Sequence, residues 1–267
     1  MKAYFSMFKI RLYKGLQYRT AAIAGMTTQF FWAIMLIMVY QAFYSSSTQV
    51  QPISLKELVQ FVWLQQAFLV FVMLWYRDTE LFELISNGNI AYELVRPINL
   101  YKLWYSKLLA QRLSGALLRS IPILIVAFLM PSGYKLMLPP SIVAFLLFLI
   151  TLLLGLILVV AISMLIYISV FYTLSPTGSL LLFSVFGEFF AGLTIPIPLM
   201  PEAMQKVMYI LPFRYTADLP FRLYSGNIGV KEGFKGLLIQ LLWITLLISF
   251  GRLWMNKALK KVVVQGG

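Results

Sequence analysis

Residues 141–172 read SIVAFLLFLITLLLGLILVVAISMLIYISVFY, without one charged side chain from end to end. A transmembrane helix needs about 20 predominantly apolar residues to cross a hydrocarbon core ~30 Å thick. This run exceeds that length, so it predicts a span that tilts or extends beyond the bilayer. A turn over 131–140 precedes it, and Ser175-Pro176-Thr177-Gly178 breaks it. Working outward, the pattern predicts further spans over 21–44, 58–76, 108–130, 179 to about 195–198, and 234–254. A polar turn, 45–52, separates the first two. The composition agrees: 61% of the residues are hydrophobic and only 12% charged, with mean hydropathy +0.84. Soluble domains run near half apolar and about a quarter charged. Lipid must therefore be the solvent, and the expected fold is an all-α polytopic membrane protein of six transmembrane helices. The whole of residues 1–267 forms one transmembrane domain, with no soluble domain, tandem repeat or low-complexity tract.

The net charge of +13 would suggest nucleic acid in a soluble protein. Here the basic residues flank apolar spans and form no separate domain, so nucleic acid is not the expected partner and the lipid bilayer is. Placing the N-terminus inside gives roughly 14 Lys and Arg on the inner segments against about 7 on the outer ones. Both termini are therefore expected in the cytoplasm, although Lys206, Arg214, Arg222, Lys231 and Lys235 load the last outer segment against that bias. Lys257, Lys260 and Lys261 follow the sixth span. The chain has no Cys and no His, which excludes disulfides, thiolate chemistry, a Ser-His-Asp triad, a His metal site and a His proton relay. Residues 1–19 spread Lys2, Lys9, Arg11, Lys14 and Arg19 along their length and do not fit a cleaved signal. Tyr4, Phe5, Phe8, Leu12 and Leu16 recur near helical spacing, as in an amphipathic helix lying in the membrane interface. A plain extension of the first span fits equally.

The most polar stretch is 77–107. Within it, Leu81, Leu84 and Ile85 share one helical face while Asp78, Glu80 and Glu83 lie toward the other. Asn87-Gly88 stops that helix, because glycine enters the left-handed region without steric cost. Arg96-Pro97 ends a second short helix, and Asn99 is placed to cap the helix that follows. The expectation is a helix-turn-helix with an acidic face, which is either a docking element or an ordinary solvated loop. Farther on, Pro196, Pro198 and Pro201 break the chain, and Met204, Val207, Met208 and Leu211 form an apolar stripe on a short helix ended by Pro212. Segment 194–224 is too apolar for a free loop and too short to span. Short helices re-entering the outer leaflet fit it, as does a helix lying on that leaflet. Two ionisable residues fall inside predicted spans, Arg119 and Glu188. Such groups normally face a cavity or a partner, and Arg119 could instead snorkel to a surface.

The pattern I-S-N-G-N-I over 85–90, A-Y-E-L-V-R-P over 91–97 and N-L-Y-K-L over 99–103 resembles the permease subunits of type-2 ABC (ABC-2) exporters, in the short six-span branch without a fused ATPase. Gly88 followed by Leu94-Val95-Arg96-Pro97 is similar to a turn recurring there after the second span, and the likeness extends over the whole chain. The resemblance implies that 77–97 is a cytoplasmic coupling helix seated in a groove of an ABC ATPase subunit. Asp78, Glu80, Glu83, Gly88 and Tyr92 would make that contact, with Leu81, Phe82 and Ile85 as desolvated anchors. It further implies a paired ATPase that binds ATP and Mg, no cofactor in this chain, and a second permease chain, an unlike partner being favoured over a copy. The location implied is a bacterial plasma membrane. Glu188 and Arg119 are the candidate pathway-lining residues, and the cargo implied is a hydrophobic or amphipathic drug, lipid or peptide. No G-x-x-x-x-G-K-[S/T] phosphate loop occurs, so the chain is not itself an ATPase. The alternatives are a secondary transporter or channel needing no ATPase, and a membrane-embedded enzyme acting on lipid. The first usually shows internal repeats or several intramembrane charges. The second is disfavoured by the lack of His, Cys and clustered carboxylates.

Overall fold

The computed structural model describes residues 2–17, 19–173 and 175–260. Met1, Tyr18 and Lys261, all drawn into the sequence expectations, lie outside them, as does the side chain of Arg19. Among the described residues every regular element is helical. Four helices are long and apolar enough to cross a membrane: 22–46 within α2 (Arg19–Ser46), α7 (Leu100–Leu129), α8 (Ile142–Thr173) and α12 (Val230–Leu259).

The other two predicted spans take shorter forms. The sequence predicts helix over 58–76, but α3 (Leu55–Ala67) breaks at Phe68 and resumes as α4 (Leu69–Val72). Residues 73–78 then leave the helix altogether. Together α3 and α4 reach about 27 Å at 1.5 Å per residue. A reciprocal cap starts α3: the Ser54 hydroxyl accepts from the Glu57 backbone N–H at 3.2 Å, and the Glu57 carboxylate accepts from the Ser54 N–H at 2.7 Å. The fifth apolar helix, α9 (Pro176–Phe190), has 15 residues and starts with proline at its first turn, where the missing N–H costs nothing.

The broken helix is central. Every residue from Leu58 to Ala67 is buried, three glutamines included. The Trp63 indole donates to the Tyr134 carbonyl at 2.6 Å, and the Gln65 amide to the Leu193 carbonyl at 2.8 Å. Those bonds fix the far-end turns on either side of it. Helix α1 (Lys2–Gln17) packs along the first half of α7: the Tyr4 hydroxyl accepts from the Asn99 N–H at 2.9 Å, and Gly15 lies against Ser114. No residue of α1 is fully buried, and Phe5, Ile10 and Tyr13 stand exposed.

Helix α8 is the pillar against which the rest packs, with continuous burial from Leu158 to Met164. The segment after α9 has a 3-10 turn at Ile197–Leu199, then α10 (Glu202–Ile210), a second 3-10 turn at Pro212–Thr216, and α11 (Asp218–Ser225). All eight residues of α11 are buried, whereas α10 buries only Met208 and leaves Met204, Val207 and Ile210 exposed. The predicted apolar stripe thus lies mostly on the surface of α10. The buried helix of the segment is α11, which carries Asp218 and Arg222. Asp218, fully buried, accepts from Arg214 at 3.1 Å and Arg222 at 3.2 Å. Arg222 also donates to Asn227 at 2.7 Å, and Asn227 reaches Glu57 at 3.3 Å. Two of the five basic residues that loaded the last outer segment are therefore internally paired.

Two devices seat this segment on α8. The Gln240 amide of α12, fully buried, donates to the carbonyls of Thr151 and Tyr215, both at 2.8 Å. Gly155 lets the second 3-10 turn lie directly on α8: a Cβ there would stand 2.8 Å from the Thr216 carbonyl oxygen. Backbone cannot yield as a flexible side chain can. Gly155→Ala is therefore expected to cost about 1–3 kcal/mol, read as a lowered thermal midpoint of the purified protein in detergent. Gly178→Ala, with nothing within 4 Å of its Cβ, is expected to leave the midpoint unchanged or raise it.

Candidate functional site

Where α4 stops, its last carbonyls lose their helical partners. The chain meets this need from another helix. Arg112, buried on α7, donates to the carbonyls of Val70 (2.9 Å), Met73 (2.6 Å) and Tyr76 (3.0 Å), and to the Ser163 hydroxyl of α8 (3.1 Å). Gln111 covers the Arg77 carbonyl at 3.3 Å, and the Tyr167 hydroxyl accepts from the Asp78 N–H at 2.6 Å. An apolar side chain could satisfy none of these groups, and a guanidinium offers five donors in one plane. The sequence places Arg112 among the flanking positive charges and gives no sign of this role. Its partners are 36 to 51 residues away in the chain.

From that fixed point an elbow projects. Asp78 caps α5 (Thr79–Ser86), accepting from the Leu81 N–H at 3.3 Å, and is itself buried. Burial pushes its carboxyl above the ordinary range, although Arg11 of α1, 3.6 Å away, pulls the other way. Arg11 also pairs with Glu80. Leu81, Phe82 and Ile85 are buried, and the Phe82 ring stacks on Tyr167 of α8 at 4.3 Å. In this they differ from the expectation of anchors turned toward a partner: they fasten α5 to its own transmembrane core. Asp78 likewise faces inward, as a cap. Gly88, at φ 73°, turns the chain after the Asn87 cap, as its position in the sequence predicts.

The second short helix, α6 (Ala91–Leu94), is held by Glu93. Its buried carboxylate accepts from Lys107 at 2.9 Å and from the Trp104 indole at 2.7 Å, and Trp104 stacks on Phe171 of α8. The Asn99 side chain caps α7 by accepting from the Lys102 N–H at 3.0 Å. Of the three carboxylates expected on one face of the first helix, Asp78 points inward while Glu80 and Glu83 point outward, and Glu93 of the second helix is also turned inward. The exposed tip therefore consists of Glu80, Glu83, Gly88 and Tyr92, with Leu94 and Val95 beside them. Tyr92 and Val95 are 71% and 83% exposed, a degree that singles them out on an otherwise anchored element. The sequence reading placed Leu94 and Val95 in the family motif but not among the contact residues.

Arg119 and Glu188 are not brought together. Half-buried Arg119 lies in the groove between α7 and α2 against Gly25, with its Nε buried and unbonded. Glu188, near the end of α9, is also half-buried and has one buried carboxylate oxygen without a hydrogen-bond partner.

Two outcomes follow from this geometry. Arg112→Met leaves several buried carbonyls unsatisfied, each worth about 1–3 kcal/mol. The variant is expected to lose about 3 kcal/mol or more and to expose the elbow to protease, both measurable in detergent. At Asp78 the raised carboxyl pKa means that the folded state favours the neutral form. That advantage is complete below the unfolded pKa of about 3.9 and disappears as pH rises through the higher folded value. Asp78→Asn keeps a capping oxygen without the charge, so at pH 7 it should be at least as stable as the native protein, the gap narrowing as pH falls. Asp78→Ala removes the cap and should cost about 1 kcal/mol. Thermal midpoints measured from pH 4 to 7.5 separate the three.

A family model described as ABC-2 family transporter protein matches residues 30–266. No curated protein matches the chain.

Proposed function

We propose, since the chain belongs to the ABC-2 family of transporter membrane proteins, that this permease serves an ATP-driven exporter and is moved by a separate ATPase through the elbow at 77–97. In this reading the chain crosses the membrane six times, through α2, the α3–α4 pair, α7, α8, α9 and α12. Both termini and the elbow face the cytoplasm of a bacterial cell, and the 194–224 segment closes the outer end. The observation that carries the proposal is mechanical. The elbow exposes a compact tip, yet its root is tied to α8 by Tyr167, to α7 by Lys107 and Trp104, and through Arg112 to the α4 end. A push on the tip reaches the spans without being absorbed in a loose loop.

The tip suits a protein groove. Tyr92, Leu94 and Val95 supply apolar contact, and an aromatic on a desolvated patch tends to dominate binding energy. Glu80 and Glu83 beside them would set orientation and association rate against a basic rim. Leu81, Phe82 and Ile85 act one step behind, transmitting displacement to α8. ATP and Mg belong to the ATPase pair. A second permease chain, an unlike one by preference, supplies the other wall of the pathway, since six spans are too few to surround a large one. The cargo that fits an apolar helix bundle is a hydrophobic or amphipathic compound entering from the membrane. The unbonded Glu188 oxygen offers a point for a cationic group on it.

Co-expression with a candidate ABC ATPase subunit tests this. Glu83→Lys combined with Tyr92→Ala is expected to reduce co-purified ATPase by roughly tenfold or more, on about 1.4 kcal/mol per decade, without lowering the permease's thermal midpoint. Undiminished co-purification would overturn the elbow assignment. So would labelling from outside the cell of Ser86→Cys, the lone thiol in a chain that has none.

A further inference from the structure

Beside the root of the elbow lies a second feature that the transport reading does not use. A polar cavity of about 430 Å³ opens between α1, α2, α7 and the start of α5. Its charged lining comprises four cations, Arg11, Lys14, Arg77 and Arg119, and two carboxylates, Asp78 and Glu80. Arg11 engages both carboxylates. Among the described residues, Lys14, Arg77 and Arg119 then have no carboxylate partner. Arg119 is the telling one. It stands on a membrane-spanning helix, its Nε is buried and unbonded, and a Cβ on Gly25 would come within 2.8 Å of its guanidinium. The side chain is thus laid tightly along α2 with its charge uncompensated by protein. An unpaired cation at that depth is costly unless an anion meets it.

We propose that this cavity binds the phosphate of an anionic phospholipid drawn from the adjacent leaflet. Guanidinium and ammonium groups on three sides suit a phosphate, which arginine grips with paired hydrogen bonds. The chain itself shows why the source is a lipid. Ile121 and Ile125, one and two turns beyond the cavity-lining Leu118 on the same side of α7, expose 57% and 55% of their surface, leaving apolar surface for acyl chains to follow from a headgroup held here. Anionic lipid is also concentrated on the cytoplasmic leaflet. The bound headgroup joins Lys14 at the end of α1, Arg119 of α7 and Arg77 at the root of the elbow, so it braces the element on which an ATPase would push. Which leaflet supplies the lipid rests on the orientation proposed above. The binding does not, and its test uses neither nucleotide nor ATPase.

The full chain, purified in detergent, is titrated with phosphatidylglycerol, phosphatidylcholine or inorganic phosphate, and bound lipid is counted by native mass spectrometry alongside the thermal midpoint. Phosphatidylglycerol is expected to be retained and to raise the midpoint, with the other two having little effect. Lys14→Gln with Arg119→Gln should weaken phosphatidylglycerol binding by roughly 30-fold, and Arg119→Lys should retain most of it. If the double variant fails to accumulate, Lys14→Gln alone, at an exposed position, should weaken binding roughly fivefold. Lys56→Gln with Lys135→Gln, which line a different cavity, should change nothing. Equal binding of phosphatidylcholine, or undiminished binding by the Lys14 and Arg119 variants, overturns the proposal. Inorganic phosphate reproducing the whole shift overturns the lipid source.

Discussion

The guanidinium of Arg112 holds the architecture together at the point where a membrane helix is made to stop. A helix that ends among other helices leaves carbonyl groups where there is too little water to satisfy them. Without a donor the break after Val72 would carry a cost of several unmade hydrogen bonds. Arg112 supplies four of its N–H groups there, three to backbone carbonyls and one to Ser163. That single side chain permits the second apolar helix to be short, and so permits 73–78 to continue as a non-helical strap. The elbow begins at the end of that strap.

Helix α8 runs from the elbow to the far end. Tyr167 meets the elbow, while Gly155, about 18 Å farther along at 1.5 Å per residue, meets the Pro212–Thr216 turn. The two ends use different means of attachment. At the elbow end, buried ions and rings fix α5 and α6. At the far end, a glycine contact and one amide seat the turn, and Asp218 ties α11 to Arg214 and Arg222, then through Asn227 to the cap of α3. A rigid pillar with polar fastenings at both ends is the arrangement through which a displacement at one end alters packing at the other.

The polar groups at the elbow divide by accessibility rather than by type. Asp78 and Glu93 face inward and organise the element, whereas Glu80 and Glu83 face outward. The apolar residues divide the same way, with Leu81, Phe82 and Ile85 inside and Tyr92, Leu94 and Val95 outside. A surface drawn from composition alone therefore mixes residues that hold the elbow with residues that could touch a partner.

The sequence by itself determined where lipid is the solvent and where several helices begin and end. The charge-free run over 141–172, the stop at Asn87-Gly88 and the cap at Asn99 depend on neighbours within a few positions, so local pattern suffices to read them. It also carried the resemblance that the family match then bore out. It did not determine that the second apolar segment is broken at Phe68, that α11 rather than α10 is the buried helix, or which charges are paired. Those were decided by tertiary structure. Arg112 looks like any flanking cation until Val70, Met73, Tyr76 and Ser163 surround it, and Asp218 looks like a loop acid until two arginines close on it. A charge is tolerated away from water only when partners distant in the chain arrive with the right geometry, and hydropathy records the charge without recording the partner.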